Sequence, residues 1–421
     1  MYTVQNIGNC ASAAGPIRPA WNRGKVLSVT MTASDLHYNP YDHDTIRDPH
    51  LVFGRMREEA PLYYSDELDF YAVSRFEDIE KVLLNRDVFI SRKGVTLDIL
   101  KSDWEIPKGT VIFEDPPTHT LHRALLSRMF TPKRVSALED DIRRLCVSLL
   151  DPLVGAGGFD FVSDLGSQVP MRVIGMLVGI PESDQEGVRD HFLGQRSSQD
   201  GPSHALSGDI FADYIDWRAD HPSDDIMTQL LYSEFEDENG QMRRLTREEL
   251  LAYVNIVAAA GNETTRILIG WTGHLLAENP DQRHLLVEDP SLVRNAIEEI
   301  LRSEPNTLQN CRFVARDVEI CGQVVPEGSI MVTLTPSGNR DKSQFDDPHR
   351  FDVRRKIERH LTFGLGSHYC LGQALARLEG RIALEEVLKR FPEWDTDLDQ
   401  SKFIYFPDMR GFESLPVRTS C

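Results

Sequence analysis

Basic residues are in short supply in this chain: 46 lysines and arginines stand against 66 aspartates and glutamates over 421 residues, a formal charge of −20. Such a surplus repels a phosphate backbone, which excludes nucleic acid as a partner unless a strong local basic patch intervenes. Long apolar runs are missing too. No stretch approaches the roughly 20 residues that a membrane-spanning helix needs, and the N-terminus lacks the basic-then-apolar pattern of a secretory signal. Cysteine is sparse: Cys10, Cys146, Cys311, Cys321, Cys370 and Cys421 are scattered without CxxC spacing. That excludes a disulfide scaffold and a structural zinc site, and it points to a reducing, cytoplasmic setting.

Residues 1–35 mix small, polar and basic side chains without helical or strand period and read as an extended or poorly ordered arm. From Asp48 onward a helix-like stretch is followed by two short apolar runs that read as a hairpin, and then by a helix over Phe76–Leu84. Between Ser91 and Pro117 the period is lost although apolar residues such as Leu97 and Ile112 persist, so this is a candidate binding loop. Amphipathic helix patterns dominate from His119 to Leu286. After Glu304 come short β-like runs, a glycine-rich loop, one more helix and an irregular tail, which makes the class mainly α with a smaller β-rich region.

Leu245–Asn279 reads as one long helix, because Thr246 and Glu249 form a capping box and Pro280 closes the far end. At 1.5 Å per residue it would run roughly 50 Å. Its middle, Ala260-Gly261-Asn262-Glu263-Thr264-Thr265, opposes helix propensity by on the order of a few kcal/mol and predicts a functional break. The bland alternative is a Thr264 bonded back to a carbonyl one turn earlier beside a solvated Glu263.

Phe363-Gly364-Leu365-Gly366-Ser367-His368-Tyr369-Cys370-Leu371-Gly372 is a glycine-punctuated loop that delivers one cysteine just before a helix. There the positive end of the dipole and nearby N–H donors lower a thiol's pKa, and a thiolate binds iron. Gly364, Gly366 and Gly372 would let the backbone approach a flat macrocycle, with Phe363 packed against it.

This Phe-x-x-Gly-x-x-x-Cys-x-Gly pattern resembles the cytochrome P450 family of haem-thiolate monooxygenases, and the likeness extends over nearly the whole chain from about Asp35. The resemblance implies a large, triangular, mainly helical body with a smaller β-rich region, so that residues 36–421 form a single haem domain. Haem b (protoporphyrin IX iron) would lie between the long helix and the cysteine loop, with Cys370 as the axial ligand of its iron. Beside Ala260, Glu263 and Thr264 would be the acid and the alcohol of oxygen activation. His119, Arg123, Arg312 and His368 would contact the haem propionates. Glu299, Arg302 and Arg355 would form a buried structural network, whereas Glu299 and Arg302 alone, at i, i+3, would read as an ordinary surface pair. Leu97, Ile112, Ile256, Ala260 and Leu308 would line the substrate pocket. One departure is Glu304-Pro305-Asn306, where many relatives carry a second proline, which predicts a more mobile loop.

The reaction so implied is insertion of one oxygen atom from dioxygen into a small hydrophobic organic substrate, hydroxylation above all. Electrons would come from a ferredoxin and its reductase, since no flavin-binding extension follows the haem domain. A cytoplasmic monomer without a membrane span is expected. Arg128, Lys133, Arg134, Arg377 and Arg381 would form a basic docking face for the ferredoxin, or merely a solvated helix surface. Three rivals stay open: a peroxide-driven peroxygenase, a non-catalytic haem-binding sensor, and a cysteine hydrolase using Cys370 with His360 or His368.

Overall fold

The structure, a computed structural model, describes residues 36–180, 211–223 and 225–419. The expected arm at 1–35 lies outside the described residues. The long helix runs from Arg247 to Glu278, 32 residues, and is buried around most of its circumference, as befits a helix apolar on nearly every face. Its start is capped as the sequence requires: Glu249 N–H donates to Thr246 Oγ1 at 3.2 Å, and Thr246 N–H donates to the Glu249 carboxylate at 2.9 Å. The expected break at 260–265 does not occur, and the helix is continuous there. Packing offsets the weak propensity. At Gly261 a Cβ would sit 2.9 Å from Ile174 Cδ1, so the missing side chain allows close burial against the helix Val169–Val178. Val293–Ser303 and Gln373–Arg390 pack on other sides.

The β-rich region holds a five-stranded mixed sheet in the order Leu62–Ser65, Phe70–Val73, Ile330–Leu334, Gln309–Val314, Phe89–Ile90. The first two strands form the hairpin that the sequence predicts, with Tyr64 opposite Tyr71. Tyr71 then sits beside Met331 in parallel register, and Val332 faces Cys311 across an antiparallel pair. Every residue of Ile330–Leu334 is buried, the mark of a central strand. One hydrophobic core surrounds the long helix, and a second lies between this sheet and the helix Phe76–Leu84.

Two stretches differ from expectation. The final segment is not an irregular tail: Trp394–Thr396, Lys402–Tyr405, Arg410–Ser414 and Pro416–Thr419 are strands, each too short to display a clear two-residue period. The helical centre also contains a hairpin, Glu234–Glu236 with Met242–Arg244. Among the described residues no helix is long and apolar enough to cross a membrane.

Candidate active site

The cysteine loop closes on itself, with Cys370 N–H donating to the Phe363 carbonyl at 2.8 Å. Gly364 and Gly366 bend it at φ of 66° and 70°, left-handed values that cost other residues roughly 1–2 kcal/mol. Gly372, at φ −83°, needs no such freedom and serves as N-cap of Gln373–Arg390. The N–H groups of Gly372 and Gln373 bond to the Cys370 sulfur, with Arg123 and Arg377 nearby. The thiol's pKa is nonetheless raised, not lowered as the sequence suggests: burial is the largest influence, and the donors and cations only partly oppose it. A metal cation at the sulfur would complete the ionisation that the fold only begins.

Cys370 stands in the wall of a cavity of about 350 Å³. Phe363, Gly364 and Gly372 share that wall; Gly366 does not reach it. Of the expected pocket residues, Ile112, Ile256 and Ala260 line the cavity, whereas Leu97 and Leu308 are buried away from it. Leu97 opens the one-turn helix Leu97–Leu100, and Leu308 is pinned by its N–H to the Asp408 carbonyl at 2.9 Å. Val95, Asn306, Thr307 and Asn310 line the space instead. Asn310 alternates with Cys311 and shares the face of Arg312, already expected at the cavity, so a two-residue period counted from Arg312 would have identified it.

His119, Arg123, Arg312 and His368 all reach the cavity, and the two histidine rings lie 4.2 Å apart. Arg123 donates to the Tyr369 carbonyl, and Arg312 to its neighbour's, Cys311 O, at 2.7 Å. Neighbouring acids are engaged elsewhere: Glu114 holds His122 Nδ1 at 2.8 Å, and Asp115 accepts the Ser91 and Arg92 N–H groups at 2.9 and 3.2 Å. His119 Nε2 is buried with no hydrogen-bond partner among the described residues. Burial, and then the crowding of His119, Arg312 and Arg123, pushes His368 down to about 3. The cluster is thus an excess of donors and positive charge with no anion of its own. Two ring-borne carboxylates would satisfy it, and with Cys370 in the same wall the residues fit haem.

Thr264 lines the cavity but Glu263 does not. Successive helix residues point about 100° apart, and the Glu263 carboxylate turns to Arg266, with Nε to Oε2 at 3.1 Å in a buried pair. Glu263 is therefore neither beside Thr264 in the cavity nor a solvated acid. Thr264 Oγ1 donates to the Ala260 carbonyl at 2.6 Å. This back-bond uses the hydroxyl hydrogen and leaves the oxygen lone pairs free.

Behind the cysteine loop, Glu299, Arg302 and Arg355 meet: Arg302 Nε and Arg355 Nε lie 2.7 and 3.1 Å from the Glu299 carboxylate. A second buried carboxylate escapes sequence reasoning. Glu304 is held by His50 at 3.1 Å, by Arg340 and by Arg410, partners dispersed along the chain with no local signal. The expected docking face is only partly available. Arg377 and Arg381 are engaged by Glu298 and Glu139 at 2.6 and 2.8 Å, while Arg128 and Lys133 are exposed.

Glu379, also in the cavity wall, has a buried Oε2 without a partner among the described residues. Burial alone raises its pKa from 4.5 to about 8. The folded state then holds a proton that the unfolded chain releases, so this residue's contribution to stability falls as pH climbs through that window and is constant above it. Melting of the haem-bound protein at pH 5 and pH 8 checks this. Glu379→Gln is expected to gain on the wild type by on the order of a few kcal/mol between the two; a difference independent of pH would refute it.

The fold and the lining of this site fit one class, proteins that would hold haem through a cysteine. The sequence model described as Cytochrome P450 matches residues 212–416. The chain is 36% identical over 413 residues to 6-deoxyerythronolide B hydroxylase of Saccharopolyspora erythraea, covering 92% of this chain and 99% of that protein. It is 32% identical over 394 residues to cytochrome P450 monooxygenase PikC of Streptomyces venezuelae, covering 89% and 92%. In three dimensions it matches HmtN, a post-tailoring hydroxylase involved in himastatin biosynthesis, with a TM-score of 0.80 at 30% identity over 91% of this chain and 100% of that one. The chain belongs to the cytochrome P450 family. It is an oxidoreductase that incorporates oxygen from dioxygen, and its cofactor is haem b.

Proposed function

We propose that the chain hydroxylates a small, mainly apolar organic molecule with electrons from a ferredoxin and its reductase. The observation that carries this reading is one cavity walled by Cys370, by the donors His119, Arg123 and Arg312 with no carboxylate among them to meet their charge, and by apolar side chains such as Ile112, Ile174 and Ile256. Haem bound through a thiolate supplies the redox chemistry: dioxygen, two electrons and two protons deliver one oxygen atom into a C–H bond and the other into water.

The chain's own residues do the rest. Cys370, assisted by the Gly372 and Gln373 N–H groups, would hold the iron; His119, Arg123, Arg312 and His368 would hold the propionates; Phe363 would share the wall beside the ring. Apolar walls exclude bulk water and hold a substrate by burial. Thr264, its hydrogen given to Ala260, accepts a hydrogen bond and so fixes a water or another donor where protons are needed. Glu263, bound to Arg266, does not hand that proton on from its present position. The donor protein is steered by the exposed Arg128 and Lys133, a smaller basic patch than five charges would make. The four described free cysteines support a reducing, cytoplasmic setting.

The reduced protein under carbon monoxide is expected to show the strongly red-displaced Soret band of thiolate ligation. A panel of apolar compounds screened by spectral shift then identifies a substrate for turnover with ferredoxin and reductase. Activity with peroxide alone, and none with the electron chain, would overturn the donor assignment. Thr264→Ala is expected to keep its haem and consume electrons, while the fraction recovered in product falls by roughly tenfold or more and peroxide accumulates. An unchanged product fraction would remove Thr264 from the mechanism.

A further inference from the structure

The loop after Ser303 is fastened before it reaches the cavity. Buried Glu304 binds His50 and two arginines, and Arg340 also donates to the Ser303 carbonyl at 3.0 Å. Further on, Arg410 N–H donates to the Asn306 carbonyl at 3.1 Å. From this anchorage the Asn306 side chain crosses to the long helix, where Nδ2 donates to the Thr264 carbonyl at 3.1 Å. Its Oδ1 accepts from Thr307 Oγ1 at 3.3 Å. Asn306, Thr307 and Thr264 all line the cavity.

Inside a helix a carbonyl ordinarily serves the N–H four residues on, and its second lone pair finds no tertiary donor. At Thr264 that second position is taken by a side chain from a rigid loop. The hydroxyl of the same residue is bound one turn back, to Ala260. Thr264 is thus held at both ends, and where its free lone pairs point depends on both bonds. Only a donor suits the outer one: a carboxylate of the same size would face the carbonyl with like partial charge.

We infer that Asn306 is a positioning residue for Thr264, its amide locking this turn of the long helix to the loop that lines the same cavity. The inference rests on the oxygen-activating reading of Thr264. It also replaces the mobile loop that the missing second proline suggests with a tethered one.

Carbon monoxide on the reduced, haem-loaded protein is the probe, because its C–O stretching band senses groups beside the ligand without needing a substrate. Asn306→Ala and the isosteric Asn306→Asp are expected to shift or split the band. Amide hydrogen exchange across residues 260–268 should quicken by about threefold or more, the scale of one lost hydrogen bond. Asn306→Gln, which keeps the amide on a longer stem, should recover part of both effects. In a Thr264→Ala background the Asn306→Ala change should leave the band where Thr264→Ala alone put it, because the group being positioned is gone.

A wild-type band and wild-type exchange in both the Ala and the Asp variants overturns the proposal. So does a band shift that adds to that of Thr264→Ala, and in that case the reading of Thr264 survives. If Thr264→Ala itself leaves the band untouched, the hydroxyl does not face the ligand, and both readings fall together.

Discussion

Cys370→Ser is expected to leave a folded protein that has lost the red-displaced carbon monoxide spectrum and whose turnover is down by roughly a thousandfold. The backbone gives no reason for collapse, since the Cys370 N–H bond to the Phe363 carbonyl is equally available to serine. The chemistry gives every reason for loss of function. Around position 370 the Gly372 and Gln373 N–H groups, Arg123 and Arg377 favour an anion, and yet burial keeps even the thiol above its ordinary pKa. A hydroxyl, far weaker as an acid, would stay neutral under the same balance, and a neutral oxygen cannot push electron density onto iron as a thiolate does. Haem content, circular dichroism and the reduced carbon monoxide spectrum separate these effects. A variant with the wild-type spectrum and turnover would remove Cys370 from the site.

What could be read from the sequence was local. The cysteine loop is ten residues long, its turns are set by Gly364 and Gly366, and its closing bond joins Phe363 to Cys370, so motif and geometry coincide. The long helix announces itself through Glu249 within it, Thr246 at its N-cap and Pro280, which opens the next helix just past its C-cap. Its interior was misread for the opposite reason. A propensity argument counts Gly261 and the threonines as losses, whereas the fold uses Gly261 to admit Ile174, a tertiary gain that no window along the chain contains. Glu263 shows a smaller error. Adjacent helix positions face different ways, so a motif that names Glu263 and Thr264 together does not put both in one cavity, and Arg266 three residues on was the visible partner.

Groups brought together from distant segments were the hardest to see. Glu304 collects His50, Arg340 and Arg410 from three parts of the chain, and Asn306 meets Thr264 across 42 residues. The four strands after Phe391 were invisible because each is at most five residues long; they pair mostly with one another, and only Pro416–Thr419 reaches a distant strand, Gly158–Asp160. By contrast, Glu299 and Arg302 have a readable i, i+3 spacing that could equally belong to a solvated helix. Only their burial, with Arg355 arriving from a later segment, distinguishes the two.

That burial sets the size of the second large effect, the one expected from Glu299→Ala. The Glu299 carboxylate is fully buried and accepts from Arg302 Nε and Nη2 at 2.7 and 2.9 Å, from Arg355 Nε at 3.1 Å and from Asp352 N–H at 3.0 Å. Removing it leaves Arg302, itself 1% exposed, with only the Asn339 and Pro348 carbonyls as acceptors. A buried charge stripped of its partner costs ~3–5 kcal/mol, a large fraction of the about 5–15 kcal/mol that holds a typical domain folded. The damage should reach the cofactor by a traceable route. Arg302 grips the Asn339 carbonyl, and the Asn339 side chain in turn accepts from Leu361 N–H at 2.7 Å and donates to Thr362 Oγ1 at 2.9 Å, directly ahead of the Phe363 that begins the cysteine loop. Glu299→Ala should therefore unfold at lower denaturant and lose haem during purification, with Arg355→Ala milder because that guanidinium is partly solvated and its loss leaves Glu299 still accepting from Arg302 and the Asp352 N–H. Denaturant melts and the haem-to-protein ratio measure both. A Glu299→Ala protein with full haem and a wild-type midpoint would mean that the carboxylate is not what braces the loop.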